Sequence, residues 1–306
     1  MLGRVGFVTE LSDWTAEPAV DGIREVLRAA GAEDGRPEVD PAGPLPREFT
    51  GGLHLLARRD GDPAGYLHLD LDGDAHGHQV AELIVHPAHR RHGVGTALAR
   101  ALVERAAAGF RVWAHGDHPG AAALAARLGL ARARELMVLH ADAESAEWPE
   151  PVLRGGIRLR AFVPGQDEEA VIAVNARAFD WHPEQGALTV AELRAEERLA
   201  WFDPAGFFLA EDDRQRILGF HWTKVHDPVA GRFGGDPIGE VYVVGVDPDT
   251  QGGGLGKALT LAGLRYLRSR GLRQVILYVE GDNAPALAVY RKLGFTRFDI
   301  DVQYGQ

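Results

Sequence analysis

Apolar residues recur at Val94, Ala97, Leu98 and Ala101, and again at Leu255, Ala258, Leu259 and Ala262. That spacing predicts two amphipathic helices, each turning one stripe toward a core. An apolar run, a proline-containing turn and a glycine-rich start precede both helices. Further short apolar runs predict strands at residues 53–57, 65–69, 111–115, 207–210, 217–225 and 274–279. Strands and helices alternate in each half, so the fold class is α/β, an α+β mixed sheet in two copies.

The halves are related in sequence. Residues 85–98, V-H-P-A-H-R-R-H-G-V-G-T-A-L, match residues 246–259, V-D-P-D-T-Q-G-G-G-L-G-K-A-L, without a gap at an offset of 161. Arg127-Leu128-Gly129-Leu130 then recurs as Lys292-Leu293-Gly294-Phe295 at an offset of 165. Two matched blocks in the same order indicate a duplicated domain. The stretch 142–156, with Pro149, Pro151, a Gly-Gly pair and several acidic residues, has linker composition. It divides the chain into a first domain at 1–141 and a second at 157–306.

Composition narrows the function classes. The chain of 306 residues has no cysteine, which excludes disulfides, thiolate metal sites and a cysteine nucleophile. A net charge of -11 argues against a nucleic-acid partner, whose phosphates call for a basic face, and suits a cationic small molecule. With no long apolar run and no leader-like start, the expectation is a cytoplasmic protein without membrane contact, and a monomer.

Gln251-Gly252-Gly253-Gly254-Leu255-Gly256 forms a Q-x-x-G-x-G turn between strand and helix. Glycines there let backbone approach a ligand, and free N–H groups at a helix start attract an anion such as a pyrophosphate. A nucleotide-triphosphate loop would need glycine at Gln251 and Ser or Thr at Ala258. A dinucleotide fingerprint would need Gly or Ala at Leu259, so neither pattern is met. A purely structural turn is the alternative, made less attractive by the same pattern in the first half. There Arg91, His92, Gly93, Val94, Gly95 and Thr96 occupy the matching places, as Lys257 extends the second. His86, His89 and His92 could imply a metal, but they flank a proline and a helix start, where contacts to phosphate or solvent fit better; no metal is expected.

Acyl transfer to an amine requires a base for the ammonium and a proton for the leaving thiolate. Glu240, at the start of the strand leading into the second turn, suits the first role, since an α-amine titrates near about 8. Tyr290, seven residues beyond Asn283 on the same helical face, suits the second. The alternatives are a solvated strand-end glutamate and a tyrosine that only packs. The repeat offsets map Glu240 to Gln79 and Tyr290 to Ala125, neither of which can do this chemistry. Glu82 lies three residues off the Glu240 register, on the opposite strand face unless a bulge intervenes.

Arg90-x-x-Gly93-x-Gly95 and Gln251-x-x-Gly254-x-Gly256 resemble the acetyl-CoA motif of the GCN5-related N-acetyltransferase (GNAT) superfamily. The resemblance implies two tandem GNAT domains. It also implies that pantetheine lies along Leu83, Ile84 and Val85 and along Val244, Gly245 and Val246. Asn283, Ala284, Pro285, Ala286, Leu287 and Ala288, followed by Leu293-Gly294-Phe295, resemble the superfamily's second block, again near the cofactor.

Longer phrases are more specific: F-D-W-H-P-E-Q-G at 179–186, W-F-D-P-A-G-F-F-L-A at 201–210, G-F-H-W-T-K-V-H at 219–226 and W-A-H-G at 113–116. With G-E-V-Y-V-V-G-V-D-P and L-Y-V-E-G-D-N they resemble the mycothiol synthase family across nearly the whole chain. That resemblance implies acetyl transfer to the cysteinyl amine of a glucosaminyl-inositol conjugate, an aminosugar-inositol thiol. It implies Glu240 as base and substrate contact, Tyr290 as acid, and Glu184, Lys224 and Tyr278 as substrate contacts, with Asp40, or Glu38, reaching in from the first half. Only the second half would be catalytic, while the first holds CoA, so that a second CoA is expected. The loop between Val225 and Glu240 is longer than the family's. Two other functions compete: acetyl transfer to another small or peptidyl amine, and non-catalytic acyl-CoA sensing.

Overall fold

A computed structural model describes residues 8–34, 45, 49–74, 76–182, 185–228 and 235–306. Contacts divide the chain into two compact units, residues 1–135 with 300–306, and residues 136–299.

The first unit contains β1 (Val8–Glu10), α1 (Glu17–Asp34), β2 (Leu53–Arg59), β3 (Asp62–Asp70), β4 (Val80–Val85), α2 (Val94–Arg105), β5 (Arg111–Ala114) and α3 (Pro119–Arg127). Strands β6 (Ala131–Asp142) and β12 (Thr296–Gly305) each run through a unit boundary. β1 to β4 form an antiparallel meander, β4 and β5 are parallel, and the last residues of β12 pair antiparallel with β5, Val302 opposite Ala114. α2 packs its apolar stripe, including Val94, Leu98 and Leu102, against Leu55, Leu67 and Leu69 of the sheet. Val302 and Tyr304 complete this core.

The second unit repeats the plan with β7 (Ile157–Ala161), α4 (Glu168–Ala178), α5 (Val190–Glu196), β8 (Phe207–Asp212), β9 (Ile217–His226), β10 (Ile238–Val246), α6 (Leu255–Ser269), β11 (Gln274–Glu280) and α7 (Ala284–Lys292). β7 to β10 are antiparallel, β10 and β11 parallel, and β6 pairs with β11, Leu139 opposite Leu277. Each unit is therefore closed by the final strand of the other sequence repeat. The two repeats present the same kind of edge to the same kind of strand, so hydrophobic alternation alone cannot choose between pairing within a repeat and pairing across repeats.

The segment of linker composition is not uniformly exposed. Ala143 and Trp148 are buried in the second unit's core, and Trp148 Nε1 donates to the Leu293 carbonyl at 2.9 Å. A buried indole N–H calls for such an acceptor. Among the described residues no helix is long and apolar enough to cross a membrane.

Candidate active site

In both units the parallel pair at the centre of the sheet comes apart. β10 pairs with β11 at Gly239, Glu240 and Val241 and no further, and β4 pairs with β5 at Val80, Ala81 and Glu82 and no further. Beyond those points Val244, Gly245 and Val246, and Leu83, Ile84 and Val85, have no ladder partner on that edge among the described residues. A backbone edge left in this way can receive hydrogen bonds from an extended ligand.

The turn after each strand is built alike. Asp247 and His86 each accept from the N–H two residues on, at 2.9 and 3.2 Å. Gln251 Nε2 and Arg90 Nε then donate to the last strand carbonyl, Val246 and Val85, both at 3.3 Å. The first residue of each motif thus ties the turn to its strand. Gly254 and Gly93 precede their helices at φ 82 and 87, where a side chain would be strained. Gly252 has φ 78, and its counterpart Arg91 takes φ 63 despite carrying a side chain. Ala258 and Ala97 donate back to Gly254 and Gly93. Earlier N–H groups, those of Leu255, Gly256 and Lys257 and of Val94, Gly95 and Thr96, have no intrahelical acceptor and form a nest for an anion. The side chains of Leu255 and Val94 are buried, so these residues can serve a ligand only through backbone. Gly253 faces the Arg154 guanidinium, 2.7 Å from where a Cβ would stand.

Asn283 caps α7, its Oδ1 accepting from Ala286 N at 3.2 Å, with Ala284 and Pro285 in the first turn. Leu287 lies in the core, while Ala288 is exposed. Ile84 packs with Ile23, Leu27 and Tyr66 under α1.

Glu240 is 4% exposed and stands opposite Lys224 on β9. Its Oε2 is 2.5 Å from Nε2 of His226. Lys224 Nζ lies over the rings of Trp201 and Tyr242, at 4.6 and 4.9 Å from their centroids. Aromatic faces attract a cation by about 0.5–2 kcal/mol each, so this ammonium is held in place. Val241, Val275, Leu277 and Val279 pack into the core with α6 and α7. Strand alternation therefore sends Glu240, Ile276, Tyr278 and Glu280 to the other face. Tyr278 is 37% exposed, and Glu280 lies 3.7 Å from His182 Nε2.

Tyr290 belongs to α7 on the opposite, core side, with its ring 5.8 Å edge-on to Phe295. Burial pushes its hydroxyl up to about 12, so it holds its proton at physiological pH. Glu240 and Tyr290, on opposite faces, can address one reacting centre only where the sheet is interrupted. The interruption begins immediately after Val241 and Leu277. Glu184 and Asp40, with its alternative Glu38, lie outside the described residues.

The first unit differs. β10 carries a bulge between Val241 and Val243 that β4 lacks. Counting back from the matched turns, the pairing position of Glu240 corresponds to Val80 rather than Gln79, and Glu82 shares the face of Glu240. Gln79 is occupied structurally, its Oε1 accepting from Ala107 N at 2.8 Å, and Ala125 is core. Glu82 Oε2 lies 3.0 Å from His115 Nε2, and Asp301 Oδ1 lies 3.3 Å from His115 Nδ1. Desolvation works against charge on this imidazole, but Glu82 and Asp301 raise its pKa to about 10. His92 Nδ1 bonds the Arg90 carbonyl at 2.7 Å, and no three metal-ligating side chains come together among the described residues.

His226 is the site residue that reading the sequence missed. It ends the quoted G-F-H-W-T-K-V-H phrase, two residues after Lys224, and strand alternation puts both side chains on one face.

The sequence profile of the Acetyltransferase (GNAT) family matches residues 21–130 and 175–295. The mycothiol acetyltransferase of Amycolatopsis mediterranei is 68% identical over 290 residues, 95% of this chain and 96% of that protein. The mycothiol acetyltransferase of Saccharomonospora viridis is 66% identical over 291 residues, 94% and 95% of the two. Among solved structures, a tandem GNAT protein from the clavulanic acid biosynthesis pathway gives a TM-score of 0.68 at 22% identity over 98% of each chain. A GCN5-related N-acetyltransferase from Sphaerobacter thermophilus gives 0.68 at 23% identity, over 98% of this chain and 95% of that one. At these identities the structural likeness bears on the fold alone.

Proposed function

Because the chain belongs to the mycothiol acetyltransferases of the GNAT family and is an acetyl-CoA-dependent N-acetyltransferase, we propose that its second unit acetylates the cysteinyl amine of a cysteinyl-glucosaminyl-inositol conjugate, the last step in making mycothiol. Acetyl-CoA supplies an activated acyl group with a good thiolate leaving group. Everything else falls to this chain's residues. The nest at Gly254 to Lys257 takes the pyrophosphate, and the parted edge at Val244 to Val246 takes the pantetheine amides. Glu240 removes the ammonium proton, and Tyr290 gives a proton to the departing sulfur. Lys224 donates to the substrate's hydroxyls, joined by Tyr278 and Glu184. The first unit, with the same turn and edge, binds CoA without turning it over.

The observation that carries this reading is the buried carboxylate of Glu240, opposite Ile276 and one rung before the last pair, Val241 and Leu277, where the sheet opens. The test is to follow acetylated conjugate by mass spectrometry, because the substrate's own thiol obscures thiol assays of CoA release. Glu240→Gln is expected to lower kcat by about 10²–10⁴-fold, the usual worth of a placed acid or base, while acetyl-CoA binding is kept. A wild-type protein that forms no acetylated conjugate, yet acetylates another amine, would replace the substrate. Full activity in Glu240→Gln would remove the base.

A further inference from the structure

We propose that His226 is a positioning residue for Glu240 and the route by which the reaction's surplus proton reaches solvent. The inference rests on the assignment of Glu240 as base. Forming the amide takes two protons from the ammonium nitrogen as its lone pair makes the new N–C bond. The C–S bond breaks with its electron pair on sulfur, and one of the two protons ends there. The other has to leave the protein. Glu240 is too enclosed to release it directly, at 4% exposure.

His226 meets the need geometrically. Its Nε2 is 2.5 Å from Glu240 Oε2, and its side chain is 30% exposed. No described residue engages its Nδ1. With its hydrogen on Nδ1, the imidazole offers a bare Nε2 to the protonated carboxyl, whose O–H donates to it. Transfer gives an imidazolium, which releases its Nδ1 proton to water and leaves Glu240 ionised; the ring, now carrying its hydrogen on Nε2, regains the Nδ1–H tautomer by exchange with solvent before the next turnover. The cation on the same strand face, Lys224, is turned to the aromatic rings of Trp201 and Tyr242, and Ile238 stands directly across from His226. No other carboxylate is hydrogen-bonded to His226 among the described residues. His115 of the first unit shows the contrast: both its nitrogens face carboxylates, so it can fasten but not relay.

The test compares His226→Ala and His226→Gln with wild type and Glu240→Gln, measuring kcat, KM for acetyl-CoA and rescue by free imidazole. Both His226 variants should lose at least tenfold in kcat with KM for acetyl-CoA within twofold. Imidazole should restore rate to His226→Ala, where it can enter the solvent-open gap, but not to His226→Gln, where the amide fills it, nor to Glu240→Gln. Unchanged kcat in either His226 variant, or loss in His226→Ala that imidazole does not relieve, overturns the relay. If His226→Ala does not fold, the kcat of His226→Gln decides. If Glu240→Gln is itself fully active, the assignment of the base has failed; if it is inactive while the His226 variants are not, only the relay has.

Discussion

Shaving the C-terminal strand should loosen the N-terminal unit. Val302 has no exposed surface and faces Ala114 across the β12–β5 ladder, inside the core that holds Leu67, Leu98 and Phe110. Val302→Ala removes two carbon groups worth about 0.8 kcal/mol each in transfer, and the cavity left behind brings the cost to about 2–3 kcal/mol. Because exchange from a cooperative unit follows its opening free energy, amides in β4 and β5 should exchange on the order of 10²-fold faster. Hydrogen-exchange mass spectrometry resolves the location: peptides over 80–85 and 111–114 should lose protection, while 274–280 should not change. Leu139→Ala is the mirror experiment. Leu139 is buried opposite Leu277, so protection should fall at 274–280 and stay at 111–114. If Val302→Ala instead loosened β11, or left β5 untouched, the exchanged strand pairing would be wrong.

Tyr290→Phe keeps the ring against Phe295 but removes the proton, so kcat should fall by about 10-fold or more with acetyl-CoA binding preserved in calorimetry. Since burial raises the Tyr290 pKa to about 12, the acid stays protonated below that value, and the kcat profile of the wild type should show no falling limb from this group up to about pH 11. Acid should weaken the second unit early: burial lowers His221 from 6.5 to about 4, although its Nδ1–H bond to the Leu259 carbonyl pulls the other way. The native state thus prefers the neutral ring, and its contribution, about 3 kcal/mol, is complete above pH 6.5 and lost as pH falls toward 4. Denaturation from pH 7 to 4.5 should show this slope in wild type and a flatter one in His221→Asn; equal slopes would refute it.

The helices that follow the glycine turns, those turns and most strands were legible because their cause is local: a stripe of apolar residues, or a backbone angle that glycine takes without strain; α1, α3, α4 and α5 were not read. Gly93 and Gly254 stand where the turn demands a positive φ, and the repeat predicts both. Pairing was not legible. β6 and β12 have the alternation of closing strands, but alternation names a face and not a partner. The gapless offset mapped Glu240 onto Gln79, and one extra residue at the Val241–Val243 bulge moves that match to Val80. Lys224 drew notice as a charge in a distinctive phrase, and His226 did not, since a histidine at a strand end has no meaning until the facing strand supplies Glu240.

On the proposed assignment, the bulge would account for how one duplicated scaffold carries chemistry in a single copy. Each unit retains a buried carboxylate beside the point where its parallel strands part, Glu82 in one and Glu240 in the other. In the first, the regular β4 places Glu82 at the last rung, where His115 Nε2 bonds it and His115 Nδ1 lies 3.3 Å from Asp301 Oδ1. Such a carboxylate is already neutralised by a cation that does not let go, its pKa raised to about 10. In the second, the extra residue in β10 re-aims the strand, as bulges do near functional sites. Tyr242 then stands beside Lys224, and Glu240 is paired with one histidine whose side chain is 30% exposed and whose far nitrogen no described residue engages. On the proposed assignment, a unit that holds the cofactor and a unit that uses it would differ in whether the carboxylate's partner can exchange its proton.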